Sequence, residues 1–397
     1  MNYNNPQKSN STILLNVMCA IVFTLFTWCY LFFFQADIIA VAQHTLSGGV
    51  TTYNRTVGAV LITAVLIILQ LVVYSLAHLR NAFHPITYLP SAVVLAMVTD
   101  IDSDIDRMQS LTWWALALLV SFVVSLVIVF SVRLLQKKTL SAYENVTIHT
   151  IWKTLLIFAV MFCGICSVAN TDAVFHYRAK AESRLIENDY DGALDAGRKS
   201  LETDSSLTMI RAYALACKGE LGERLFSYPI KCGGNAIVPM PSDSAQLADG
   251  TASAVRFQYY PLKRFYAKLG ACPPCPMNAM RYLHLLEKRG KATPTVKDYV
   301  LAIHLIDRDL DGFAKDFLKY YGNPDSVGNS MPRHYQEAMT LYRHQRTNPV
   351  AQYHNEVLET DYQDFQKLMR KYPLESERKL NAFKQYFGSY WYYFEFK

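Results

Sequence analysis

Apolar and polar positions change their pattern once, at about Ala169–Asp172. Ahead of that point, apolar stretches follow one another, each comparable to the ~20 residues that carry a helix across ~30 Å of hydrocarbon. Behind it, apolar residues recur at helical spacing among charged ones, the pattern of amphipathic helices packed in water. Five segments read as spans: Ile13–Phe34, Val57–Leu79, Ile86–Thr99, Leu111–Leu135 and Thr150–Ala169. The third is short, carries Pro90 and runs into an acidic stretch, so it reads as a short or tilted span or a re-entrant helix. The sequence divides into a membrane domain, 1–170, and a soluble helical domain, 171–397.

Charge orients the spans. With a cytoplasmic N-terminus, Lys8, Arg80, Arg133, Lys137, Lys138 and Lys153 share the inner side, and Glu144 is the acid beside them. The outer side receives Asp37, Asp100, Asp102, Asp104 and Asp106 against Arg55 and Arg107. This is the positive-inside pattern, and five crossings place the C-terminal domain outside the cytoplasm, in the periplasm of a bacterium with two membranes. Ala40-Val41-Ala42 resembles a signal-peptide cleavage site, but the preceding apolar run is long and Lys8 alone precedes it, so it reads as an uncleaved anchor.

Composition adds less. A chain that is 51% hydrophobic and 18% charged averages two solvents, lipid and water. The net charge of +6 is modest, and no dense basic stripe with interleaved aromatics points to nucleic acid.

The soluble half holds one clear repeat-like string. In Asn188–Asp204, Tyr190 is placed to pack into a helix pair, small Ala193 allows close helix approach, and Leu194 and Leu201 fall on one helical face. Asp309–Ala314 echoes it after the apolar helix Val300–Ile306. Ser206–Lys218, Leu262–Leu269, Pro332–His344, Asp361–Tyr372 and Ser376–Phe387 read as further helices, with Tyr228–Gln258 a loop inserted among them.

The Asn188–Asp204 string resembles the second half of a tetratricopeptide repeat (TPR), departing from it at Asn188, at Ser205 and in lacking an early tryptophan. Together with the apolar spans this gives an all-α fold: about five transmembrane helices, then a TPR-like stack of helical hairpins whose groove, the resemblance implies, binds peptides or proteins. With Ala40–Arg55 and Tyr390-Trp391-Tyr392-Tyr393, the chain resembles uncharacterised multi-pass envelope proteins of the Bacteroidota, which implies architecture and compartment but no activity. The aromatic terminus is expected to dock back on the stack and cap it.

Candidate chemistry is sparse. In the first outer loop, Asp37, His44 and Arg55 stand near a Gly48-Gly49 turn, a general base and anion clamp for a lipid-linked substrate or an ordinary interfacial loop. The acids at every other position from Asp100 to Asp106 lack the glycine and glutamate of a calcium loop. Cys272-Pro273-Pro274-Cys275 ahead of a helix at Met277–Lys288 is a redox pair, a structural disulfide or two loop thiols; no strand precedes it as in thioredoxin-like folds. Cys217 and Cys232 are candidates for a second disulfide, and the four cysteines together are misspaced for a zinc ribbon. His334, His344 and His354 do not converge, and no phosphate loop, nucleophile elbow, metal motif or cofactor signature is present. The expected partners are the bilayer and other envelope proteins. The favoured reading is a non-enzymatic periplasmic scaffold; a membrane transferase using Asp37 and a thiol-redox protein using Cys272 and Cys275 are the alternatives.

Overall fold

A computed structural model describes residues 6–79, 81–102, 108–138, 148–240 and 256–397. Arg80, Asp104, Asp106, Arg107 and Glu144, used in the charge reading, and 241–255 of the inserted loop lie outside the described residues. All regular elements described are helical. The chain divides into two units, Met1–Ala179 and Lys180–Lys397.

The first unit contains α1 (Pro6–Cys29), α2 (Ala36–Leu46), α3 (Arg55–Ala77), α4 (Leu89–Thr99), α5 (Met108–Lys138) and α6 (Ile148–Val168). Four helical stretches are long and apolar enough to cross a membrane: Thr12–Leu46, Arg55–Ala77, Thr112–Gln136 and Ile148–Val168. The first joins α1 to α2 through a π-helical turn, Tyr30–Gln35, where Gln35 Nε2 donates to Tyr30 Oη at 2.9 Å across five residues. Its 35 residues rise about 52 Å, more than the hydrocarbon thickness. Ala40-Val41-Ala42 lies buried within α2.

The expected third span is a composite. A 3-10 helix, Asn81–Tyr88, containing Pro85, leads into the 11 residues of α4. At ~2.0 Å per 3-10 residue and ~1.5 Å per α residue, the two together reach roughly 32 Å. Hydrogen bonds show which helix ends meet. Arg133 on α5 donates to Leu76 O at the end of α3. At the opposite end of α5, Trp114 donates to Met97 O of α4 at 3.0 Å. Asn170, just past α6, donates to Ile101 O at 2.7 Å.

Burial in this unit is inverted relative to a water-soluble bundle. α3 buries Ala59, Thr63, Leu66, Gln70, Val73 and Ala77, spaced alternately four and three apart, and exposes Val60, Leu61, Ile68 and Leu71. Polar groups tie the inner faces together: Gln70 to Thr87 at 3.1 Å, and Ser91 Oγ to Leu66 O at 2.8 Å. Apolar groups outside and hydrogen-bonded small residues inside suit lipid, where burying apolar surface between helices gains nothing.

In the second unit one core runs from Ala181 to Trp391. Its elements are the end of α7 (Ala173–Ile186), then α8 (Tyr190–Asp195), α9 (Ser205–Lys218), α10 (Leu221–Arg224), α11 (Leu262–Leu269), α12 (Ala279–Lys288), α13 (Thr295–Asp307), α14 (Leu310–Tyr321), α15 (Pro324–Val327), α16 (Arg333–Gln345), α17 (Glu356–Lys371), α18 (Glu375–Tyr386) and α19 (Tyr390–Phe396). α9 is central: every residue from Ser206 to Ala216 is buried.

Two hairpin turns are built alike. Asn188 and Arg308 adopt left-handed conformations (φ 59° and 60°), and the next residue, Asp189 or Asp309, caps α8 or α14. Each aspartate accepts the N–H three residues on, from Gly192 and Gly312, at 2.9 Å. Such a cap satisfies one of the helix's orphan N–H groups, a contribution of about 1 kcal/mol. A Cβ on either glycine would overlap the capping carboxylate, so the motif Asp-x-Asp-Gly is locked by sterics.

The helix expected across Tyr190–Asp204 stops at Asp195. Ala196 turns extended and Gly197 takes φ 64°. The carbonyls of Ala196 and Gly197 accept instead from the buried Arg211 guanidinium, both at 3.2 Å. Ala193 and Leu194 are buried in the core with Tyr190 packed against it, and Leu201 is 57% exposed.

Candidate functional site

The loop following α2 turns through Gly48 and Gly49, both at positive φ (61° and 83°), and Asn54 caps α3 by accepting from Thr56 and Val57 N–H. This brings Arg55 onto Asp37, Nη2 to Oδ1 at 2.8 Å, half-buried. Arg55 also lies over the Phe32 ring, 5.7 Å from its centroid. His44 sits one turn before the loop, its ring against Gly49. Base and clamp are thus joined to each other, each neutralising its partner's charge. Asp100 and Asp102 are described; burial and the neighbouring Asp102 raise the Asp100 carboxyl above its ordinary range.

The cysteines fall into separate surroundings. Cys232 lies beside Thr208, near the start of α9, and burial pushes its thiol up to about 11. Cys217 lies at the other end of α9 against Tyr213 and Tyr190, also raised by burial. Thr208 and Cys217 are separated by roughly 13 Å of helix, so the expected Cys217–Cys232 disulfide is incompatible with this fold. The four cysteines are not gathered, and no set of metal-binding side chains clusters among the described residues. Cys272 and Cys275 are both exposed thiols in the loop between α11 and α12. α12 begins at Ala279, capped by Asn278, so neither cysteine occupies a helix N-terminus.

Two buried carboxylates in the soluble unit went unnoticed in the sequence. Glu182, 1% exposed, accepts three successive backbone N–H groups: Gln258 at 2.9 Å, Tyr259 at 2.6 Å and Tyr260 at 2.8 Å. Glu337, 2% exposed, accepts from Arg333 Nε at 2.8 Å, His334 Nδ1 at 3.1 Å and Tyr390 N–H at 2.6 Å. His334 Nε2 accepts from Phe226 N–H, which fixes the proton on Nδ1. Burial pushes the Glu337 carboxyl up, but His334, Arg333 and the Tyr390 N–H outweigh it and hold it below its ordinary value. This network seats α19, with Tyr390 and Trp391 buried and Trp391 Nε1 donating to Glu337 O at 2.8 Å. Spacing held a faint signal for Glu337, which stands three and four residues after His334 and Arg333. Glu182 had none, because its partners are distant backbone.

A cleft of about 290 Å³ opens beside the first hairpin, lined by Asp191, Asp195, Arg198, Arg224 and Tyr228 among others. Two of its charges are paired: Lys218 holds Asp191 and Glu220, and Arg224 holds Glu220 at 2.7 Å.

Residues 277–397 match the model of a family described as of unknown function, DUF6057. No curated protein and no solved structure matches the chain. The family match covers α12 to α19 and excludes the cysteine pair.

Proposed function

We propose that the chain is a multi-pass inner-membrane protein whose soluble unit lies in the periplasm and binds other envelope proteins as a TPR-like scaffold, without catalysis. The observation that carries this reading is the twice-built hairpin turn, Asn188–Gly192 and Arg308–Gly312, in an all-helical unit. Hairpins of this kind leave apolar faces that neighbours cover, and the groove they form is a binding surface. The charge asymmetry supports the orientation, and the paired helix ends, α5 meeting α3 at one end and α4 at the other, fit five crossings. The Asp37–Arg55 pair engages the carboxylate that transfer chemistry would need as its base, which favours a binding role.

Crosslinking in native membranes followed by affinity capture tests the proposal. The full chain and its Asp37→Asn variant should recover the same envelope proteins, and a chain ending at Asp172 should not. Protease added to spheroplasts should digest the soluble unit. Failure to crosslink any protein to the soluble unit would remove the scaffold reading; resistance to protease until lysis would reverse the orientation.

A further inference from the structure

Basic residues gather along the segment that carries the exposed cysteine pair of the soluble unit, Cys272 and Cys275. From Leu262 to Lys291 stand seven basic residues, Lys263, Arg264, Lys268, Arg281, Lys288, Arg289 and Lys291, against the single acid Glu287. That surplus of six equals the net charge of the entire chain, so the remainder is balanced. Glu287 is itself held by Lys319 at 2.7 Å, and among the described residues no ion pair engages the seven basic ones.

The loop carrying the thiols is pinned at both feet. Gly270, at φ 130°, closes α11 by donating to Tyr266 O, and its missing side chain lets Lys291 O approach. Thr293 fastens the same strip, its hydroxyl donating to Lys268 O at 2.7 Å. Tyr282 Oη donates to Ala271 O, and Ala279 N–H donates to Asn235 Oδ1 at 2.6 Å. Between these anchors Cys272 and Cys275 stand exposed, with Lys268 and Lys291 at one foot and Arg281 at the other. The other two thiols of the soluble unit, Cys217 and Cys232, are half-buried.

We propose that Cys272 and Cys275 form a thiol–disulfide exchange site that selects anionic disulfides. One cysteine, after losing its proton to solvent, attacks a sulfur of the partner disulfide. A mixed disulfide forms, and the first partner thiolate leaves and takes up a proton. The second cysteine, losing its proton to solvent, then attacks the mixed disulfide, closes the Cys272–Cys275 bond and expels the second partner thiolate, which takes up a proton. Two thiols of the chain are oxidised to one disulfide, and the partner disulfide is reduced to two thiols, with two electrons transferred. The basic frame raises the local concentration of disulfides bearing carboxylates, as charged clefts do for counter-ions. A small molecule or an acidic protein surface supplies that chemistry.

The test uses the full-length reduced chain in detergent, with 3,3′-dithiodipropionate as anionic probe and cystamine as cationic probe. Each rate is divided by that of N-acetylcysteine amide, which removes intrinsic reactivity. At low ionic strength the normalised ratio should favour the anion by about tenfold, collapsing toward unity at ~1 M salt, where the Debye length is ~3 Å. Both thiols should become resistant to alkylation together. The combined Lys268→Glu, Arg281→Glu, Lys291→Glu variant should lose the preference and still close the disulfide. In native membranes, Cys275→Ser should retain an adduct on Cys272, its mass distinguishing a small thiol from a protein. A ratio of unity at low salt, an unchanged ratio in the charge-reversed variant, or two separate mixed disulfides without closure would each overturn the proposal.

Discussion

The Glu182 carboxylate offers a sharp test of how the soluble unit is held together. It stands on α7, more than seventy residues before the backbone it binds, and is 1% exposed. Replacing it with glutamine keeps the volume but removes the charge and turns one acceptor oxygen into a donor facing N–H groups. Hydrogen bonds to a charged group contribute about 1.5–3 kcal/mol each, and a buried donor left unpaired costs about 1–3 kcal/mol. With Gln258, Tyr259 and Tyr260 all affected and one bond retained, the local loss should be roughly 3 kcal/mol. Because about 1.4 kcal/mol is one factor of ten, the amides of 258–260 should open on the order of 100-fold more often. Hydrogen–deuterium exchange of the full chain in nanodiscs reads this directly. The Gln258–Tyr260 amides should be slow in the wild type and roughly 100-fold faster in Glu182→Gln, while amides of α13 are little changed. Equal exchange of these three amides in both proteins would refute the assignment of Glu182 as their anchor.

Other predictions follow from the same geometry. Glu337 is held below its unfolded value near 4.5, so its contribution is complete above that pH and fades as pH falls through the lower folded value. Stability curves of the wild type and Glu337→Gln against pH should therefore separate above 4.5 and converge below it; a constant gap would exclude the linkage. Gly312→Ala places a Cβ against the Asp309 carboxylate and the His304 ring, displacing the cap. It should cost about 1–2 kcal/mol, and a melting temperature unchanged by the substitution would contradict the steric account.

What the sequence made legible was whatever depends on local periodicity. α11 begins and ends where its apolar spacing predicts, and α9, α16 and α18 differ by a residue at their ends. What it hid depends on distant partners. Nothing between Tyr190 and Asp204 announces that Arg211 will take the carbonyls of Ala196 and Gly197 and so end α8 after six residues. The motif's apolar period continued through Leu201, but a helix persists only while its own carbonyls remain available. The cysteines show the same limit: spacing admitted a Cys217–Cys232 bond that the length of α9 forbids.

The segment around Pro85 and Pro90 shows where local and tertiary logic diverge most. Ile86–Thr99 is the shortest of the expected spans, and the 3-10 helix Asn81–Tyr88 takes in its first three residues. Its α4 residues Pro90, Ser91, Ala92, Leu95, Ala96 and Thr99 are buried, whereas α3 and α5 turn rows of valine and leucine outward. Irregular backbone is tolerable at membrane depth when protein, not lipid, surrounds it, because freed polar groups then find partners. Here Thr87 and Ser91 meet Gln70 and Leu66 O of α3. A helix covered by its neighbours needs no continuous apolar surface, so the short apolar run of this segment goes with its buried position.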